Sequence, residues 1–311
     1  MAVVATLVLP STALSFEDPS DPDTCIGCHT NPKYKKEDIK ILKPCLECHG
    51  VAGHPYKDNA GEGKNFTASY PHPKTEADKT KMVLIPKGDF IMGTDLRHDD
   101  EGPVHTSYTD SYYIDIYEVT NKDYKVFIDG TRSKENKGHG LPEHWTGGSY
   151  PEKIADHPVV FVSWFDANSY CRWMGKRLPT EREWEKAARG TKGLIYPWGD
   201  DWDKEKSNNP VKESTGTEPI GSYEAGKSTY GLYDMSGNVW EWVDEYYNPH
   251  PGSSNLSPEF GEKYRLLKGG SWWDCMFYSC GISAPTYNRS FFDPTTKNQS
   301  FGFRCAADVK E

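Results

Sequence analysis

Apolar side chains recur at helical spacing in three stretches of the chain. From Asn121 to Asp129, the residues Tyr124, Phe127 and Ile128 share one face, and Thr120 stands before them as a cap. Trp164 to Met174 reads as a second helix. Thr180-Glu-Arg-Glu183 is a capping box, in which hydroxyl and carboxylate each satisfy an otherwise unpaired amide, and it leads into Trp184 and Ala187. Past Gly190 the helical period gives way to turns, loops and short strands. Val239-Trp-Glu-Trp-Val243 alternates at a period of two and predicts a strand.

Residues 16–79 show neither period. They are rich in Pro, Lys, Asp, Gly and His, with few branched apolar residues, and cannot build a core from protein alone. The charged stretch Thr75 to Lys81 reads as a linker. The pattern therefore divides the chain into an apolar N-terminal segment (1–15), a small irregular domain (16–79) and a large domain (80–311) rich in aromatics and turns.

The small domain carries its own chemistry. Cys25-Ile-Gly-Cys28-His29 and Cys45-Leu-Glu-Cys48-His49 are two Cys-x-x-Cys-His motifs, the attachment pattern of c-type haem. Each thiol can add to a porphyrin vinyl group while the histidine reaches the iron. Two CxxC pairs separated by 16 residues also suit a four-thiolate zinc site, but such a site has no use for a histidine after each pair. Two haems would supply the apolar mass that the segment lacks, with short helices and loops wrapped around them. For the distal ligands, elimination among the remaining histidines leaves His54 and His72, in Gly-His-Pro and Pro-His-Pro contexts on extended backbone. Bis-histidine ligation saturates the iron and favours electron transfer over substrate binding.

Charge and leader narrow the setting. A net charge of -10 gives no basic surface for nucleic acid. Lys33, Lys35 and Lys36 form a small patch beside the first motif that reads first as a solvated face, with docking of an acidic redox partner as the functional alternative. Ala2 to Leu14 is apolar, with Ala13 and Ser15 spaced for cleavage of a secretory signal; it is short for a membrane span. Export to a periplasmic or extracellular space agrees with haem attachment and with disulfide-forming cysteines.

From Met82 to Asp308 the chain resembles the formylglycine-generating-enzyme (sulfatase-modifying factor) family. The matching pieces, in the family's order, are Val83–Gly93, Tyr113–Asn121, Val159–Ala167, Gly175–Ala188, Tyr196–Gly199, Gly231–Trp242, Lys268–Trp272 and Gly302–Arg304. The resemblance implies an α+β, C-type-lectin-like fold with many loops. It also implies a Ca2+ ion held by the side chains of Asp234 and Glu241 and the carbonyls of Gly237 and Val239, all hard oxygen donors. A further cation site would begin near Asn208 or Asn209, in a loop that is shorter here.

The same resemblance pairs Cys171 with Cys305 in a disulfide, while Ala188 stands where a second family disulfide would need a cysteine. Cys275 and Cys280 have the separation of the family's copper-binding catalytic pair, and two thiolates suit Cu(I). Against this, Cys275 lies one residue further from the Gly-Gly-Ser motif than expected, and Gly281 to Thr286 replaces an arginine-rich stretch. A local Cys275–Cys280 disulfide is the preferred alternative.

The leading expectation is an exported dihaem cytochrome that exchanges electrons with a redox protein, its large domain serving as a scaffold, partner-binding or assembly module. A homo-oligomer or filament would extend the electron path. The alternatives are a copper- and O2-dependent oxidase, and a haem-bearing binding module with an aromatic groove near Trp272 and Trp273.

Overall fold

The computed structural model describes residues 81–131, 141–273 and 284–309, all within the large domain. Both Cys-x-x-Cys-His motifs, His54, His72, Cys275 and Cys280 lie outside the described residues.

The three helices begin where their sequence signals place them. Helix α1 (Asn121–Thr131) buries Tyr124, Phe127 and Ile128, and the Asp123 amide donates to Thr120 Oγ1 at 3.0 Å. Helix α2 (Trp164–Trp173) starts with a Ser163–Asp166 capping box, and Met174 is its C-cap. Helix α3 (Glu181–Arg189) has both halves of the Thr180–Glu183 capping box. It stops at Gly190, whose φ of 69° lies in the left-handed region that glycine enters without strain.

Three sheets pack around these helices. The first is antiparallel and has β4 (Tyr112–Asp115) at its centre, between β1 (Met82–Ile85) and β9 (Ala306–Asp308). The second pairs β2 (Gly88–Met92) with β3 (His105–Thr109). The third has four strands in the order β7 (Ser290–Phe292), β6 (Arg265–Lys268), β5 (Trp240–Tyr246) and β8 (Phe301–Gly302). Within it β8 runs parallel to β5, and the other pairs are antiparallel.

Strand β5 forms as the alternation predicts, but its burial does not alternate. Val239, Trp240, Glu241, Trp242 and Val243 are all buried. The strand lies between two others, and both of its faces are covered: Trp184 of α3 reaches Glu241, while Trp242 Nε1 donates to the Val162 carbonyl. The polar position in the alternation marks an interior polar contact rather than a solvent face.

Two cores result. One gathers Tyr124, Phe127, Trp145, Tyr170, Trp173 and Phe303 about α1 and α2. The other sets Trp184 and Ala187 of α3 against Ile85, Ile114, Leu266 and Met235. The expected Cys171–Cys305 disulfide is present in the first core, joining residues 134 apart in sequence. Because it closes so long a loop, replacing both cysteines with alanine is expected to lower unfolding free energy by roughly 3–5 kcal/mol. Denaturant titration of the two proteins side by side checks this.

Candidate functional site

The loop between Tyr233 and β5 brings together residues that the sequence keeps far apart. Asp234 and Asn238 both adopt left-handed backbone, with φ of 58° and 61°. Gly237 between them has a φ of 93°, and a Cβ there would stand 2.3 Å from the Asn208 carbonyl oxygen. Only glycine lets the two chain segments approach so closely. The Asn238 amide donates to that same carbonyl at 2.8 Å, and Asn208 Nδ2 donates to Asn238 Oδ1 at 3.1 Å.

Three buried carboxylates converge here: Glu118, Asp234 and Glu241. Glu241 is fully engaged. Arg304 Nε donates to its Oε2 at 2.7 Å, Arg304 Nη2 to its Oε1 at 2.7 Å, and Trp184 Nε1 to its Oε2 at 2.9 Å. The remaining Arg304 N–H groups go to the carbonyls of Asp115, Ile116 and Tyr233, so the guanidinium donates nothing to Glu118 or Asp234.

Those two acids are supported differently. Asp234 Oδ2 accepts from the Gly221 amide at 2.8 Å, and Glu118 Oε1 accepts from Asn238 Nδ2 at 3.1 Å. Glu118 Oε2 has no hydrogen-bond partner, and neither has Asn208 Oδ1. Burial pushes the Asp234 carboxyl up to about 6. Burial and then the neighbouring Asp234 charge push Glu118 upward as well. Of the expected calcium ligands, Asp234 thus sits in a charge-poor acidic pocket that suits a hard cation, whereas the Glu241 oxygens are already committed to Arg304 and Trp184. Among the described residues, no three His, Cys, Asp or Glu side chains are grouped to hold a metal ion. Glu118 and Arg304 were not singled out as site residues by sequence; the only local signal is a charged residue inside the apolar run of Tyr117-Glu118-Val119 and another inside Phe303-Arg304-Cys305.

A second buried ionic group lies on the other side of Trp184. Arg289 pairs with Glu181 (Nε–Oε1 2.7 Å), Lys268 with Glu185 (3.0 Å) and Arg189 with Glu185 (2.8 Å). Burial works to raise the Glu181 carboxyl, but Arg289 and Lys268 outweigh it and hold it at about 2. His250 is buried beside this group, its ring 5.1 Å from that of His105 and its Nε2 without a hydrogen bond. Burial lowers His250 to about 4, against the opposing pull of Glu181.

A cleft of about 520 Å3 opens between the loops at Thr94–Pro103 and Gly252–Leu256, and its lining includes Asp95, Arg97, His98, Ser253 and Asn255. Its walls are polar and it does not involve the tryptophans that the sequence marks for a groove. Trp272 is buried, and Trp273 is 39% exposed.

A histidine buried in the neutral form contributes stability that is present above its ordinary pKa of about 6.5 and is lost as pH falls toward its folded value. For His250, facing Glu181, Glu185, Arg289, Lys268 and His105, that window runs from 6.5 down to about 4. His250→Gln is therefore expected to lose less melting temperature than the parent protein between pH 7 and pH 4.5, as read by thermal melts at the two pH values.

Comparison with known proteins places this architecture. Residues 67–309 match the family described as "Sulfatase-modifying factor enzyme 1-like domain". The mouse formylglycine-generating enzyme is 33% identical over 74% of this chain and 75% of its own length. The mouse protein named inactive C-alpha-formylglycine-generating enzyme 2 is 34% identical over 75% of this chain and 87% of its own. Among solved structures, PvdO from Pseudomonas aeruginosa superposes with a TM-score of 0.56 at 26% identity, over 73% of this chain and 94% of that one. With its α+β, C-type-lectin-like fold and its Cys171–Cys305 disulfide, the chain belongs to the sulfatase-modifying factor (formylglycine-generating enzyme) family.

Proposed function

We propose that this protein is an exported electron carrier in which two c-type haems, bound in residues 16–79, are carried by a formylglycine-generating-enzyme-type domain that serves as scaffold or partner-binding module. The observation that carries this reading is the duplicated Cys-x-x-Cys-His motif at Cys25–His29 and Cys45–His49. His54 and His72 supply the distal ligands. The Cys171–Cys305 disulfide supports an oxidising compartment, where thioether attachment of haem also proceeds. Among the described residues no helix is long and apolar enough to cross a membrane.

The large domain's relatives support a non-catalytic role as readily as a catalytic one. An enzyme and a protein named as inactive stand at 33% and 34% identity. Fold therefore does not decide activity; the side chains at the reacting position do.

The test is an optical spectrum of the purified protein, oxidised and dithionite-reduced, with haem quantified and carbon monoxide added. The expected result is two low-spin haems per chain whose reduced spectrum is unmoved by carbon monoxide. Zinc in place of haem would overturn the reading, and carbon monoxide binding would replace electron transfer with a reaction at an open iron.

A second reading rests on a separate observation, the spacing of Cys275 and Cys280. If they form a thiolate pair they can hold Cu(I), and the domain becomes an O2-dependent oxidase of substrate cysteine. Metal analysis after anaerobic loading is its check: one Cu(I) per chain, lost in Cys275→Ser, supports the oxidase, and a closed Cys275–Cys280 disulfide in the native protein removes it.

A further inference from the structure

The two walls of the polar cleft, at Thr94–Pro103 and Gly252–Leu256, are tied together beneath it by one buried side chain. Arg289 Nη1 donates to the Asp100 carbonyl of the first wall at 2.7 Å. Its Nη2 donates to the Asn248 carbonyl, at the root of the second wall, at 2.8 Å. Tyr247 adds a further tie, its hydroxyl donating to Asp100 Oδ2 at 2.9 Å. Glu181 holds the Arg289 strap in place, accepting from Nε at 2.7 Å and from Nη2 at 3.1 Å. The tips of both walls are solvated, with Leu96 77% and Leu256 93% exposed, so the buried ties at the base carry the spacing of the walls.

A titratable group sits against this strap. His250 leads into the second wall, and its carbonyl accepts from the Ser253 amide at 3.0 Å. Its ring meets that of His105 at 5.1 Å, and His105 Nδ1 donates to the Pro103 carbonyl of the first wall at 2.8 Å. His250 Nε2 is buried without a hydrogen bond and lies 3.9 Å from Glu181 Oε1, the oxygen that Arg289 Nε occupies. The charged groups around the ring are Glu181 and Glu185 of α3, Lys268 of β6 and Arg289 beside β7, with His105 of β3 as the other titratable neighbour.

A proton added here has a defined effect. The group already sets three cations, Arg189, Lys268 and Arg289, against two carboxylates. A buried imidazolium would be a fourth cation, and its Nε2–H needs an acceptor. The acceptor at hand is Glu181 Oε1, so a protonated His250 competes with Arg289 for the carboxylate that holds the strap.

We infer that His250 is a proton-operated latch on the cleft: neutral, it leaves Glu181 to Arg289 and the walls stay tied; protonated, it takes Glu181 and both walls are released together. The sign follows from burial, which lowers His250 to about 4 while the ring is packed. Once the walls part and water reaches the ring, its pKa returns toward about 6.5. Opening is therefore favoured as pH falls through that window, and between pH 7 and pH 4.5 the open fraction should rise on the order of fiftyfold. This inference concerns the large domain alone and stands whether or not the haem reading holds.

The test is hydrogen–deuterium exchange of the full chain, read by mass spectrometry at pH 7 and pH 4.5 and corrected for the intrinsic pH dependence of exchange. Peptides spanning 94–103 and 248–256 should lose protection together, by about tenfold or more, while helix α1 keeps its own. His250→Gln, which cannot take up the charge, should change by less than about threefold in either wall. Tyr247→Phe removes a tie without touching the titrating group, so it should weaken protection of both walls at both pH values and leave the pH effect in place. The inference is overturned if the parent walls keep their protection at pH 4.5, or if His250→Gln opens as the parent does. A loss that extends equally to α1 is general acid unfolding and overturns it too. So does a response confined to 94–103, because burial holds the Glu101 carboxyl there above its ordinary range and its protonation alone would loosen that wall. Should His250→Gln not fold, the joint or separate response of the two walls in the parent protein still decides.

Discussion

The Arg304–Glu241 pair is the interaction around which the large domain is arranged. Both side chains are 0% exposed, and the guanidinium uses all of its N–H groups on defined acceptors. Those acceptors belong to different parts of the chain: the end of β4, the turn at Tyr233 and the start of β5. Trp184 adds α3 to the same carboxylate. One bidentate contact thus fixes a helix, two sheets and a loop in register. Losing either partner would leave the other charge buried, at a cost of about 3–5 kcal/mol. Such a pair specifies geometry more than it adds stability, because an apolar replacement of equal shape would hold the strands with less directional demand.

Trp184 separates two ionic groups of opposite balance. Its indole N–H faces the acid-rich side, while Lys268 of the other group stands 5.9 Å from its ring. Lys268 is paired in register with Glu241 on the neighbouring strand. The side chains of two adjacent residues in one ladder therefore serve different clusters. Cross-strand partners project to the same face of a sheet, so both clusters lie on the α3 side of β5, while the opposite face carries Trp242, which donates to the Val162 carbonyl.

Local chemistry was legible in the sequence, and long-range chemistry was legible only through family likeness. The capping residues Thr120 and Thr180 announce α1 and α3 because a cap is a contact between residues three apart. The Cys171–Cys305 bridge was reachable through resemblance, not through spacing. Glu118 and Asp234 are separated by more than a hundred residues, and no periodicity marks two acids that meet only after three sheets have formed. The tryptophan pair shows the same limit: Trp272 and Trp273 are neighbours in sequence, but one turns inward and the other outward. The two Cys-x-x-Cys-His motifs stand apart from this pattern, since each is contained in five consecutive residues.

The order of strands in the first sheet has a consequence for the timing of biogenesis. Its central strand β4 is paired on one side with β1, made early, and on the other with β9, whose residues begin at Ala306. Arg304 and Cys305 arrive with that last strand, so the buried ion pair and the disulfide are both unavailable until then. A topology dominated by such distant pairings folds slowly and late. While the ribosome still holds the remainder of the chain, the cysteines of residues 25–48 have already been made. Closure of the large domain therefore comes after synthesis of that segment.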